Sequence, residues 1–193
     1  KLIKAALYTG SGEFIELMLA TNKMEEIGKN DIYKIYDLKT ANYTFATPLD
    51  IGATLAGATE KEAKKLFSYG IYLGRAFQIK DDIIGLFGEE KEIGKSNVSD
   101  LQEAKKTLLV WYAYNHSARK NKEAIKKVFS KKEVSNTDLL RIRKIIRDSG
   151  ALDYAQSEIE RLKRLAAEIL KDSTIKKTFK ESLSSFAAET LAL

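Results

Sequence analysis

The sequence has no cysteine, a single proline, and no apolar run long enough to cross a bilayer. Without cysteine there is no disulfide and no thiolate metal site, an absence that accords with a cytoplasmic protein. One proline, Pro48, leaves nearly the whole chain open to helix, and the long runs rich in Ala, Leu, Ile, Lys and Glu favour it. The longest apolar stretch, Leu108-Leu109-Val110-Trp111-Tyr112-Ala113-Tyr114, reads as core helix and falls well short of the roughly 18 residues of a membrane span. The N-terminal Lys1-Leu2-Ile3-Lys4-Ala5-Ala6-Leu7 is short and lacks a small-residue cleavage pattern, so it is not read as a signal peptide. There is no initiator methionine, and the chain is expected to begin inside a longer protein. Strands, internal repeats and domain linkers are not evident either.

What is present is ordinary for a globular chain. At 193 residues, 44% apolar and 31% charged, it suits one domain or part of a larger one and can bury a real core. The 33 basic and 27 acidic residues leave a net charge of +6. Much of the excess lies toward the C-terminus, as in Arg119-Lys120-Asn121-Lys122, and reads as a solvated helix face. No aromatic-interleaved motif accompanies it, so no nucleic-acid partner is expected.

The periodicity predicts helices over 12–27, over 30–46 from an Asn30 cap, over about 49–57, and over 59–87 from a Thr59/Glu62 capping box. Further helices are expected at 103–117, 121–129, from Ser135 or Thr137 to 148, 151–171 and 175–190. Thr47-Pro48 should break or kink the chain, since proline lacks the amide and clashes with the preceding turn. Gly70 and Gly74, four apart, permit a close backbone approach. Segments 30–46 and 59–87 are expected to be antiparallel neighbours. The fold class is therefore all-α.

Three constellations carry chemistry. In Phe77-Gln78-Ile79-Lys80-Asp81-Asp82-Ile83-Ile84-Gly85, two adjacent carboxylates interrupt an apolar helical segment. Each costs several kcal/mol to desolvate unless paired, and hard Mg²⁺ is the usual partner. Gln78, Asp81, Asp82 and Gly85 follow i, i+3, i+4, i+7 and share one stripe, a candidate metal–diphosphate platform. Lys39-Thr40-Ala41-Asn42-Tyr43 offers an ammonium beside a hydroxyl, a pair suited to phosphate. Gly94-Lys95-Ser96, followed by Asp100 and Lys105, looks like the tail of a nucleotide P-loop but lacks its upstream glycine and follows a helix, not a strand. The nucleotide reading is rejected. The connection over 88–100 is long for a helix–helix link, and a lysine there could close over a diphosphate.

In this order the three motifs resemble the trans-type isoprenyl diphosphate synthases, all-α prenyltransferases that make geranylgeranyl and longer diphosphates. The resemblance covers about residues 10–115. It implies a helical bundle of the isoprenoid synthase type, with residues 1–193 the C-terminal part of a single domain and the N-terminal helices lacking. It further implies Mg²⁺-assisted ionisation of an allylic diphosphate and attack by isopentenyl diphosphate. Asp81 and Asp82 match the second acidic motif. Lys39 and Thr40 match the pair on the allylic diphosphate, Gln78 the preceding glutamine, and Lys95 the loop lysine that steadies the leaving group. Lys105 occupies a basic position after Ser-Asp-Leu. Gly85 stands where the commonest motif has a third acid. Gly12-Glu13-Phe14-Ile15-Glu16 stands where the family usually has Gly-Gln-x-x-Asp. The first aspartate-rich motif is not in the sequence, so the chain alone is expected to be inactive. A homodimer is expected, and the alternative to the prenyltransferase function is a non-catalytic partner subunit of a heteromeric prenyl diphosphate synthase.

Overall fold

A computed structural model describes residues 1–88 and 99–192. Every regular element among them is helical. In chain order they are α1 (Leu2–Thr21), a 3₁₀ turn (Met24–Glu26), α2 (Lys29–Tyr36), a π-helix (Asp37–Ala46), α3 (Thr47–Leu55), α4 (Glu60–Phe87), α5 (Ser99–Gln102), α6 (Leu108–His116), α7 (Arg119–Phe129), α8 (Asn136–Asp148), α9 (Ala151–Lys171) and α10 (Lys177–Thr190).

Several boundaries differ from expectation for local reasons. Helix α1 starts ten residues before the expected position 12, because nothing from Leu2 onward breaks it. Helix α2 opens at Lys29 rather than after an Asn30 cap: the Gly28 amide donates to Asp31 Oδ2 at 2.8 Å, so the capping carboxylate lies inside the helix. Pro48 does not break the chain. It sits in the first turn of α3, where a missing amide costs little, and Ala46 and Thr47 keep right-handed helical dihedrals. The turn before it widens instead, and the Thr47 amide donates to Asn42 O, five residues back. The Thr59/Glu62 box is half made: the Glu62 amide donates to Thr59 Oγ1 at 3.3 Å, but the Glu62 carboxylate accepts from the Thr174 amide at 3.2 Å. At α8 the box is complete, between Ser135 and Asp138.

The described residues divide into two compact units. The first comprises Lys1–Phe14, Tyr33–Lys80 and Glu158–Leu193, the second Ile15–Ile32 and Asp81–Ser157. Within the first, the π-helix lies antiparallel to α4. A Cβ on Gly70 would stand 2.5 Å from Ala46 Cα, and one on Gly74 would overlap Ala41 Cα, so both glycines are required by the approach. Phe45 is buried against Phe77, with ring centroids 5.4 Å apart, and against Phe186 at 6.4 Å, which makes it core. Helix α10 is tied to α4 through Tyr69 Oη, which donates to Leu183 O at 2.7 Å, and Lys80 Nζ, which donates to Thr190 O at 2.9 Å. Within the second unit, Arg143 of α8 donates to Leu86 O at the end of α4, and Tyr112 stacks on Tyr154 at 4.1 Å. Leu108, Leu109, Ile125, Ile142 and Ile146 are among its most deeply buried aliphatic residues.

Candidate functional site

In the first unit the structure brings two of the sequence motifs together. Thr40, on the π-helix, donates from Oγ1 to Gln78 Oε1 on α4 at 2.5 Å. The register follows from the Gly70–Ala46 and Gly74–Ala41 approaches, which fix how far each helix slides along the other. Beside Thr40, the Lys39 ammonium lies 3.1 Å from Glu13 Oε2, with the Lys39 side chain about a quarter exposed. A Cβ on Gly12 would stand 2.9 Å from the Lys39 amide nitrogen. Gly12 thus lets α1 approach and carry Glu13 to the lysine. Two residues before Lys39, Asp37 takes both Nε and Nη2 of Arg75 at 2.6 Å, a bidentate pair that pins the segment to α4. The Asp37 carboxylate raises the Arg75 guanidinium above its usual range. Tyr43 is exposed.

The second unit holds the acidic residues. Asp81 is exposed and Asp82 is buried, at 5% exposure. Their helix is unbroken through Phe87, so the stripe has a buried edge, Asp82 and Gly85, and an outer edge, Asp81. Beneath Gly85 lies Asp100 of α5: a Cβ on that glycine would stand 2.6 Å from Asp100 Oδ2. Asp100 Oδ1 accepts from Lys105 Nζ at 2.8 Å, and Glu103 Oε2 lies 3.1 Å from the same ammonium. Burial pulls Lys105 down, but Asp100 and then Glu103 more than reverse this, so it is held above the ordinary lysine range. Its neighbour Lys106 is the opposite case. At 6% exposure, it donates to Ala20 O at 3.3 Å, packs over the Phe129 ring, and is lowered by burial to about 8. Only Lys105 of the two remains open to an anion.

Lys95 and the rest of 89–98 lie outside the described residues. No group of three or more His, Asp or Glu side chains placed to hold a metal occurs among the described residues. The donor set at Asp81 and Asp82 is two hard carboxylates, which suits a cation that takes one or two protein ligands and fills its shell with water and phosphate. Glu13 and Asp100 were not singled out as partners from the sequence, although Gly12 beside Glu13 marks the close approach.

The class defined by this all-α fold, with Lys-Thr on one helix and Gln-x-x-Asp-Asp on another, is that of the prenyl diphosphate synthases. Residues 1–146 match the polyprenyl synthetase family, and the chain belongs to it. It is 35% identical over 148 residues, 76% of its length, to a geranylgeranyl diphosphate synthase of Saccharolobus solfataricus, covering 44% of that protein. It is 36% identical over 169 residues, 88% of its length, to a geranylfarnesyl diphosphate synthase of Aeropyrum pernix, covering 51%. The chain thus spans about half the length of these curated relatives. Among solved structures, a polyprenyl synthase of Caulobacter crescentus, complexed with calcium and isoprenyl diphosphate, superposes with a TM-score of 0.89 at 27% identity, over 100% of this chain and 57% of that one. A geranylgeranyl pyrophosphate synthase of Corynebacterium glutamicum, complexed with isoprenyl diphosphate and magnesium, gives 0.84 at 28% identity, over 95% and 52%.

Proposed function

We propose that this chain carries the part of a trans-prenyltransferase that binds the diphosphate of an allylic substrate and steadies it as it leaves. The observation that carries the reading is the hydrogen bond from Thr40, which has Lys39 beside it on the π-helix, to Gln78 on the helix that continues into Asp81-Asp82. Relatives named as geranylgeranyl and geranylfarnesyl diphosphate synthases support it.

The reaction breaks the C1–O bond of the allylic diphosphate and releases pyrophosphate. The double bond of isopentenyl diphosphate attacks the resulting allylic cation, and loss of a proton from the adduct restores an alkene. Asp81 and Asp82 are the residues that would hold Mg²⁺, which when bound neutralises diphosphate charge and makes pyrophosphate a better leaving group. Lys39 supplies a charge-assisted contact once the anion draws it from Glu13. Gln78 holds the Thr40 hydroxyl in place, so that it can redirect its proton to a phosphate oxygen without first being ordered. Lys105, and Lys95 on sequence alone, add positive charge where negative charge accumulates on the leaving group.

The test is release of pyrophosphate from geranyl or farnesyl diphosphate with isopentenyl diphosphate and Mg²⁺, using the protein at the length its gene encodes. Elongated prenyl diphosphate is the expected product. No elongation by the purified protein, but elongation on adding a second prenyl synthase subunit, would favour a non-catalytic partner role. The exposed apolar residues of α1 are what such a subunit, or a second copy in a homodimer, could cover.

A further inference from the structure

The geometry points to Asp100 as a positioning residue for Lys105, with Gly85 as the slot that receives its carboxylate. This rests on the reading of Lys105 as a diphosphate contact. Gly85 lies on the buried edge of α4, one turn beyond Asp81 and Asp82. Even the smallest side chain there would stand 2.6 Å from Asp100 Oδ2, closer than carbon and oxygen tolerate. The other oxygen, Oδ1, accepts from Lys105 Nζ at 2.8 Å, and the Asp100 side chain is 8% exposed. The carboxylate is therefore set between a wall of α4 with no side chain and an ammonium.

The backbone brings Lys105 back to that carboxylate. Helix α5 is four residues long, and its last turn closes through Glu103 N to Ser99 O at 2.9 Å and Ala104 N to Leu101 O at 3.1 Å. Ala104 then takes a left-handed φ of +52°, which reverses the chain. As a result the Lys105 amide donates to Asp100 O at 3.0 Å while its ammonium reaches Asp100 Oδ1. An alanine in this region is disfavoured for an L-residue, so the reversal is held by its surroundings. The Lys105 side chain keeps 23% exposure and remains open to an anion. A lysine already held in one rotamer loses less freedom when a diphosphate arrives.

The experiment is a set of double variants in the protein at its gene-encoded length. The readouts are KM and kcat for the allylic diphosphate, the Kd of inorganic pyrophosphate with Mg²⁺, and thermal melting. Gly85→Ala pushes the carboxylate aside, so it is expected to raise KM and the pyrophosphate Kd about tenfold, the loss of one charge-assisted contact. In an Asp100→Ala background the same change is expected to cost less than about twofold, and Asp100→Ala is expected to add nothing to Lys105→Met. Melting should follow the same cycle: Gly85→Ala lowers the midpoint in the parent and raises it without Asp100, as a helical Gly→Ala ordinarily does. Equal costs of Gly85→Ala in both backgrounds, or independent effects of Asp100 and Lys105, overturn the inference. A parent protein that neither elongates prenyl diphosphates nor binds pyrophosphate overturns the functional reading instead, and the melting cycle then still decides whether Gly85 is the slot for Asp100.

Discussion

Asp81 and Asp82 are chemically identical neighbours on one helix, yet one is exposed and the other buried. Successive helical residues point about 100° apart, so a stripe one residue wide cannot present both equally. Their truncations should therefore separate. Asp81→Ala is expected to lower turnover by about 10²–10³-fold, the scale of removing one preorganised electrostatic contact to the leaving group, with a smaller loss of stability than at Asp82. Asp82→Ala is expected to lower turnover and also to cost about 1–3 kcal/mol of stability, because a buried polar side chain leaves its surroundings unmatched when removed. Steady-state kinetics and urea unfolding of the two variants check this. Near-normal turnover in Asp81→Ala would show that the acid pair is not the platform. The pair was legible in the sequence because two carboxylates in an apolar segment demand an explanation. Which of the two faces solvent was not, since that depends on residues far along the chain.

At the scale of elements, the helices from α7 to α10 were legible from apolar periodicity and turn residues. Ser135 caps α8, and Gly150, at φ +74°, separates α8 from α9. Two elements were not legible, for different reasons. The π-helix needs a widened turn ahead of Pro48 and the backbone approaches at Gly70 and Gly74, which are long-range facts. The break between α5 and α6 is made by Ala104, a residue that ordinarily prolongs a helix and here is left-handed. The partners of Lys39 and Lys105 were hidden for the same reason, because Glu13 reaches its lysine only once α1 has packed. The π-helix makes a prediction of its own. Gly74→Ala is normally stabilising in a helix, but here the new Cβ meets Ala41 Cα, a backbone atom that cannot turn away. The variant is expected to lose roughly 1–3 kcal/mol and to weaken pyrophosphate binding, because the shift carries Thr40 away from Gln78. Urea denaturation together with calorimetry checks both. A stabilised variant with unchanged affinity would mean that the approach is slack.

For the whole molecule, the unexplained feature is the outer face of α1. Ile3, Leu7, Gly10, Phe14 and Leu17 recur at intervals of four, three, four and three, the spacing of a seam that packs against another helix. The four large residues are 80%, 66%, 64% and 69% exposed, and Gly10 has open space where a Cβ would be. A second copy placing the same seam against this one would bury eight large side chains. Where a second copy covers α1, one charge on each half of the seam is expected to undo the pairing. The paired substitution Leu7→Glu and Leu17→Glu is expected to raise the dimer dissociation constant by more than about tenfold, since each copy then sets two desolvated carboxylates in an apolar contact. Sedimentation velocity across a concentration series measures this, with circular dichroism to show that the helices persist. A parent protein that stays monomeric at high concentration, or a dimer indifferent to the paired change, would show that α1 is covered by something other than its own copy.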